Sequence, residues 1–494
     1  MKNREMKKFL SYTTFCMMLL TTASCSKYLE ENPDNRAEIT SIDQLAGLLV
    51  SAYPDRHYLF TEESSDNSED KTTKVSSEGQ PYTDLYFWRD PEGTGNSTPA
   101  EYWIAAYEAI ASCNYALEAI EKNNLGDKAL TYKGEALIAR AYSHHMLVTL
   151  FSPAYEIGGA NAGMGIPYVT KPETVVFGQY DRGTVKGVYE NIEKDLTEGL
   201  KLLKPGSWEV PKYHFNPQAA HAFAARFYLF KGDWDKVIEH VSAILPENNF
   251  YDNLRQYAGN LSTLSGAEHR AEYTKAERPF NLLLANTYSV YHRSSGSGAN
   301  RYGFGEQVKN HYNGTTAFGA PFRTVLFLWT APNYNPGKYN EYFHYTNVAQ
   351  GIGLPYIMMP LFTVDEALMN RAEAYIQKGD NQNAINDMNT FARSRIANYN
   401  LGSHGITTDK AKTFSGKTDT KEAMLFTLLD SKKRAFIWEG IRWMDILRHK
   451  LTVKHNHIDG SGTETFTELP HGDPRRAFQL PKEVATSGLP LNPR

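Results

Sequence analysis

Two separate stretches of this chain carry the same helical plan. In residues 215–245, Ala220, Phe223, Ala224, Phe227 and Tyr228 fall on one helix face, small beside large, so a second helix can lie close against them. Lys231-Gly232-Asp233 breaks that helix, and Trp234 to Leu245 opens the next. Residues 363–397 repeat the design with Val364, Ala367, Leu368, Arg371, Ala372 and Tyr375, a Lys378-Gly379-Asp380 break, then Ala384, Ile385, Met388 and Phe391. A pair of this kind cannot bury its apolar stripe alone, so the chain must stack several of them.

The neighbours are legible upstream. Residues 99–122 place Trp103, Tyr107, Ile110, Asn114, Leu117 and Ile120 at helical spacing, and 128–151 supply a partner around Ala136, Ala139, Arg140, Tyr142 and Leu147. Residues 180–205 repeat the stripe with Val185, Val188, Tyr189, Ile192, Leu196, Leu200 and Leu203 until Pro205-Gly206 stops it. Paired helices with alanines at the close approaches are similar to tetratricopeptide units. The fold class expected is therefore mainly α: helical hairpins at about 99–151, 180–245 and 363–397, and a final helix at 420–449 followed by a polar, Pro-rich tail. They pack against a loop-rich, largely irregular half. That half comprises about 50–98 and 250–360, rich in Tyr, Asn, Gly, Ser and Pro without a sustained period. Loops this long inside a compact body are usually functional.

The N-terminus reads as a leader. Lys2, Arg4, Lys7 and Lys8 precede an apolar run from Phe9 to Leu20, which at about twelve residues is too short to span a membrane. The run ends in Thr22-Ala23-Ser24-Cys25, similar to a bacterial lipoprotein processing site except for Thr22 where leucine is usual. The expected domains are thus a signal peptide, 1–24, and one body, 25–494, lipidated at Cys25. An ordinary secretory leader with an incidental cysteine is the alternative. The other cysteines, Cys16 and Cys113, are too few for a disulfide framework or a Cys-based zinc site. A formal charge of −4, more negative once the basic leader is removed, argues against a nucleic-acid partner.

Motifs for chemistry fail on inspection. Gly296-Ser297-Gly298-Ala299-Asn300-Arg301 lacks the last glycine of a dinucleotide loop and sits among loops. His144 and His145 point to different helix faces, and His455-Asn456-His457 lies in a polar tail, so all four histidines read as surface or packing residues. The acidic run Glu62 to Asp70 lacks the spacing and glycine of an EF-hand and reads as a solvated loop. Glu366 and Glu373 share a helix face and fit helix packing as well as a carboxylate pair. Neither a nucleophile elbow nor a catalytic Cys-His pair is marked. No cofactor and no metal site is expected.

Together the segments resemble the SusD/RagB-like outer-membrane lipoproteins of Bacteroidetes, over most of the chain. Cys25-Ser26-Lys27-Tyr28-Leu29-Glu30-Glu31-Asn32-Pro33 is similar to the family's mature N-terminus. Lys133-Gly134-Glu135-Ala136, Arg140-Ala141-Tyr142 and Gly165-Ile166-Pro167-Tyr168 follow in the family's order. Asp195-Leu196, Ala225-Arg226-Phe227-Tyr228-Leu229 and Gly232-Asp233-Trp234 continue it. Arg371-Ala372-Glu373-Ala374, Trp438 to Asp445, Leu480-Pro481 and Asn492 complete it. Lys432 and Ala435 depart, standing where the family has glutamates, and the arginine expected before Asp365-Glu366 is missing.

The resemblance implies a glycan-binding lipoprotein, anchored by lipid to the outer face of the outer membrane, that passes oligosaccharide to a SusC-like TonB-dependent transporter. It implies no catalysis. In the family the loop-rich half holds glycan, and the composition, with 31 Tyr, 24 Phe and 7 Trp, supplies ring faces for sugars. The expected ligand residues are Tyr82, Tyr86, Trp88 and Arg89 from the first loop region, and Tyr291, Tyr302, Trp329, Tyr334 and Tyr339 from the second. Trp88 leads them because it precedes the turn Asp90-Pro91-Glu92-Gly93. Trp103 and Trp443 sit on helix stripes and read as core. The alternatives are a lipid-anchored glycoside hydrolase and a helical-repeat protein-interaction subunit.

Overall fold

The computed structural model describes residues 39–72, 78–92, 97–173, 178–289, 300–325, 327–330 and 332–494, with 327–330 described by backbone alone. The leader, Cys25 and Tyr291 lie outside these residues. Helices α1 (Ile42–Leu49), α2 (Phe60–Ser64) and α3 (Tyr82–Tyr86) lead into the long helices α4 (Pro99–Lys122), α5 (Leu130–Phe151) and α6 (Val185–Leu202). Then come α7 (Pro217–Lys231), α8 (Trp234–Ile244), α9 (Phe250–Asn253), α10 (Gly266–Tyr273) and α11 (Glu306–Asn313). The C-terminal third adds α12 (Val364–Lys378), α13 (Asn381–Arg393), α14 (Leu401–His404), α15 (Thr408–Ser415), α16 (Thr420–Ala435) and α17 (Ile441–Arg448). The strands are β1 (Glu69–Asp70), β2 (Asn281–Tyr288), β3 (Tyr302–Gly303), β4 (Phe327–Thr330), β5 (Asn333–Asn335), β6 (Glu341–Asn347), β7 (Ile352–Thr363), β8 (Val453–Ile458) and β9 (Glu464–Leu469).

The Lys-Gly-Asp breaks work through both of their last two residues. Gly232 and Gly379 take the left-handed conformation, at φ 76° and 81°, that closes α7 and α12. Asp233 and Asp380 then cap the next helix by accepting from the N–H groups of Lys236 and Asn383. Each hairpin so formed stacks on its neighbours: α4 on α5, α5 on α6, α7 on α8, α8 on α12, and α12 on α13 and α16. Between α5 and α6 the approach is set by glycine, since a Cβ on Gly134 would stand 2.8 Å from the Gly199 carbonyl oxygen.

Buried ion pairs tie the stack together. Arg140 is bidentate to Asp195 at 2.7 and 2.8 Å and also donates to Asn114, joining α4, α5 and α6. Arg226 on α7 holds Glu366 on α12 at 2.7 and 2.6 Å, and Arg395 pairs with Asp365. The arginine missing before Asp365-Glu366 is therefore replaced by two from distant segments. Lys432 supplies a buried cation at the position of its departure, 2.7 Å from Asp445 and 3.8 Å from Glu373. Removing one member of such a pair leaves an uncompensated buried charge, at about 3–5 kcal/mol.

Four expectations change. The final helix is two, because Trp438 and Gly440 adopt φ 63° and 72° and a Cβ on Gly440 would strike the Tyr58 ring at 2.4 Å. The 250–360 region holds an antiparallel sheet of order β2-β7-β6. Its strand β7 reads poorly because it contains Pro355 and Pro360. Both prolines fall where the register gives β7 a single neighbour, and only Tyr356 and Ile357 are paired on both sides. The tail contains the hairpin β8-β9.

The acidic run is buried, not solvated. Glu62 accepts from the Gly440 N–H at 2.7 Å, Asp66 is gripped by Arg442 and Lys433, and Asp70 is bidentate to Arg301 at 2.8 and 2.7 Å. Every one of those donors lies far away in sequence. Ser41–Arg494 forms one unit, and no helix among its described residues is long and apolar enough to cross a membrane.

Candidate functional site

The expected aromatics of the first loop region are packed inward. Tyr86 stacks on Tyr302 at 4.3 Å and 21° and on His455 at 4.1 Å and 6°, and His455 stacks on Trp88 at 4.5 Å and 15°. The result is a four-ring column, Tyr302–Tyr86–His455–Trp88. Its polar edges are spent too: the Trp88 indole donates to the Ser64 carbonyl at 2.9 Å and the Tyr86 hydroxyl to the Asn456 carbonyl at 2.8 Å.

Tyr82 is buried, and so is Tyr339, whose hydroxyl donates to the Trp438 carbonyl. Tyr334 is also buried, and its hydroxyl is held by Glu306 and Lys309. None of these rings is more than 8% exposed, too little to offer a sugar a ring face. Arg89 alone of the described candidates is exposed, paired with Asp84 at 3.1 Å and placed over the Phe87 ring. Trp329 belongs to β4, and its side chain lies outside the described part. Trp103 and Trp443 are core, as are His144, His145 and His455.

Open rings occur elsewhere. A cleft of about 1080 Å³ is walled by α1, the first half of α4, the 207–214 segment and one face of the β2-β7-β6 sheet. That volume is at the upper end for small-molecule sites and suits several linked sugar rings. The period of the strands makes the wall: Tyr356 and Met358 are half-buried and line it, while Ile357 and Met359 turn into the core. Tyr342 pairs in register with Tyr356, and their rings stack at 6.1 Å and 26°. Its hydroxyl donates to Asn286, and burial, with Tyr356 and Tyr213 adding to it, raises the Tyr342 phenol above its ordinary value. Tyr342 is 41% exposed and Tyr213, in the 207–214 segment, 40%.

The Tyr213 wall is fixed from beneath by one carboxylate. Glu135, fully buried on α5, accepts from the Tyr53 hydroxyl, the Trp208 indole and His214 Nδ1, each at 2.7 Å. Tyr53 in turn accepts from the Phe215 N–H at 2.7 Å, and Trp208 stacks on His214 at 5.9 Å. The Gly-Glu-Ala stretch of α5 thus does two things: Gly134 seats α6, and Glu135 anchors the segment bearing Tyr213. Tyr213 escapes sequence reasoning because it falls between helices. The signal was its place in Pro211-Lys212-Tyr213-His214-Phe215-Asn216-Pro217, an aromatic run held between prolines.

Asp43, Asp55, Glu108 and Glu209 bring carboxylates to the cleft. Asp55 meets Arg56 at 2.6 Å, and burial together with the Asp55 charge raises the Glu108 carboxyl. Ring faces for C–H contact beside carboxylate and amide acceptors for hydroxyls are what a carbohydrate requires. Among the described residues one group of carboxylate and imidazole side chains converges closely enough to hold a metal ion, Glu373, Asp445 and His449. The Lys432 ammonium and the Arg448 guanidinium supply the positive charge there, so these side chains form an ion cluster of the core.

Two protein-family models match the chain, one described as starch-binding and associating with the outer membrane over residues 27–229, the other as the SusD family over residues 271–478. No curated protein matches significantly. Among solved structures, a SusD superfamily protein from Bacteroides thetaiotaomicron is similar at TM-score 0.65 and 18% identity, covering 92% of this chain and 100% of its own. A SusD-like carbohydrate binding protein from Bacteroides vulgatus gives 0.60 and 16%, over 91% of this chain and 97% of that one. A SusD superfamily protein from Bacteroides fragilis gives 0.64 and 17%, over 91% and 99%. At such identities the likeness establishes the fold.

Proposed function

Because this chain belongs to the SusD/RagB-like family, we propose that it is a glycan-binding protein of the outer membrane surface that captures oligosaccharide and does not cleave it. The observation that carries this reading is the cleft, where the exposed rings of Tyr213 and Tyr342 stand with Asn286 and Tyr356 along the walls. Tyrosine suits the task because it offers an apolar face and a hydroxyl with few rotors to freeze. Family membership further supports lipid anchoring at Cys25 and transfer of the sugar to a SusC-like TonB-dependent transporter.

The test takes the full-length chain in a sugar-free detergent through a panel of plant, host and microbial polysaccharides, with a reducing-end assay on the same samples. Saturable binding without new reducing ends, weakened by Tyr213→Ala and Tyr342→Ala, is the expected result. New reducing ends would replace this reading with a hydrolase. Incorporation of labelled palmitate that is lost in Cys25→Ala, and co-purification with a transporter from cell envelopes, check the anchor and the partner.

A further inference from the structure

The charges around the cleft are one-sided. Asp43 on α1, Glu108 on α4 and Glu209 in the 207–214 segment are exposed, and none forms an ion pair among the described residues. Among the described residues no lysine or arginine lines the walls. The cations nearest in sequence are engaged or turned away. Arg56 is bound to Asp55 at 2.6 Å and Glu101 at 2.8 Å and lies over the Tyr288 ring at 4.7 Å. Lys212 is half-buried and absent from the lining, and burial lowers its ammonium below the ordinary value. His214, the remaining basic group in the lining, is committed to Glu135.

Recognition of a carboxylate or sulfate calls for arginine forks or lysine ammonium groups aimed at it. This chain has such groups in number, but it spends them on the buried pairs of Arg140, Arg226, Arg371 and Arg448. The cleft presents hydroxyl, amide and carboxylate groups, and the carboxylates of Asp43, Glu108 and Glu209 have no ion-pair partner among the described residues. An anionic sugar entering it would lose hydration and meet like charge, whereas hydroxyls and ammonium groups would find acceptors.

Resting on the reading of this cleft as the glycan site, we infer that it sorts glycans by charge. It admits neutral and amino-bearing chains and turns away those bearing uronate or sulfate.

Calorimetric titration of the full-length chain in a sugar-free detergent tests this with seven named polymers. Amylopectin, xyloglucan and galactomannan are neutral, glycol chitosan bears amines, and polygalacturonate, chondroitin sulfate and heparin are anionic. The expected result is binding to at least one of the first four, lost in Tyr213→Ala, and affinity at least about tenfold weaker for every anionic polymer at low salt. Asp43→Asn, Glu108→Gln and Glu209→Gln combined should narrow that ratio. Saturable binding of an anionic polymer, as tight as any neutral one and lost in Tyr213→Ala, would overturn the charge rule while leaving the glycan site in place. Binding to none of the seven would remove the glycan site and the charge rule with it.

Discussion

Two groups of aromatic side chains in this molecule look alike in composition and differ in what covers them. In the column Tyr302–Tyr86–His455–Trp88 each of the three expected ligand rings is 5% exposed or less and stacks on at least one neighbour. In the cleft, Tyr213 and Tyr342 keep about two fifths of their surface in water. The difference lies in their supports. The column rings stack on one another and spend their polar edges on the Ser64 and Asn456 carbonyls, whereas each cleft ring is held at its base, by the Glu135 cluster or by the β-sheet register, and keeps part of its surface in water. A count of aromatic residues in loops therefore marks a region able to bind sugar without marking the rings that do so.

The sharpest way to break this comparison is to truncate a column ring. Trp88→Ala should lower stability by about 3–5 kcal/mol in chemical denaturation, since it removes a buried indole and leaves the Ser64 carbonyl without its donor. Glycan affinity per folded molecule should not change. A drop in affinity without a drop in stability would return Trp88 to the binding surface.

Glu135→Ala joins the two behaviours. Losing the acceptor of the buried Tyr53 and Trp208 donors and of half-buried His214 should destabilise the protein by about 3 kcal/mol and also weaken glycan binding, because the segment carrying Tyr213 loses its anchor. Thermal melting and titration of the same samples would check both parts.

A pH series probes the acidic run beside the column. Burial pushes Glu69 up to about 7 from an ordinary 4.5, so its protonated form favours the fold. Its contribution is full below pH 4.5 and is lost as pH rises through 7. On the order of 2 kcal/mol from this one group should be lost over that window, read as the difference in pH slope between the protein and Glu69→Gln. The smallest expected change in stability belongs to the cleft. Tyr213→Ala should leave the melting free energy within about 0.5 kcal/mol while costing about tenfold in glycan affinity.

Helices were the most legible part of the sequence because their signals are local. The stripe of α4, the Gly and Asp of each hairpin break and the N-terminal caps all lie within a few residues of what they determine. The β2-β7-β6 sheet was not legible, since prolines and apolar residues on both faces erase the alternation of β7. Burial of the acidic run was hidden for a different reason: Arg301, Lys433 and Arg442, which neutralise it, come from distant segments. The cleft was half legible. Tyr342 falls in the 250–360 region expected to hold the ligand, whereas Tyr213 owes its position to Glu135, a contact between residues far apart in the chain.

The most direct measurement is a crystal structure of the protein with an oligosaccharide from the polymer that binds it. Sugar rings lying over Tyr213 and Tyr342, with hydroxyls directed to Asn286 and the cleft carboxylates, are the result expected here. Sugar bound against Arg89 and Phe87 with the tyrosine cleft vacant would contradict the assignment and place binding on the loops that the sequence first suggested.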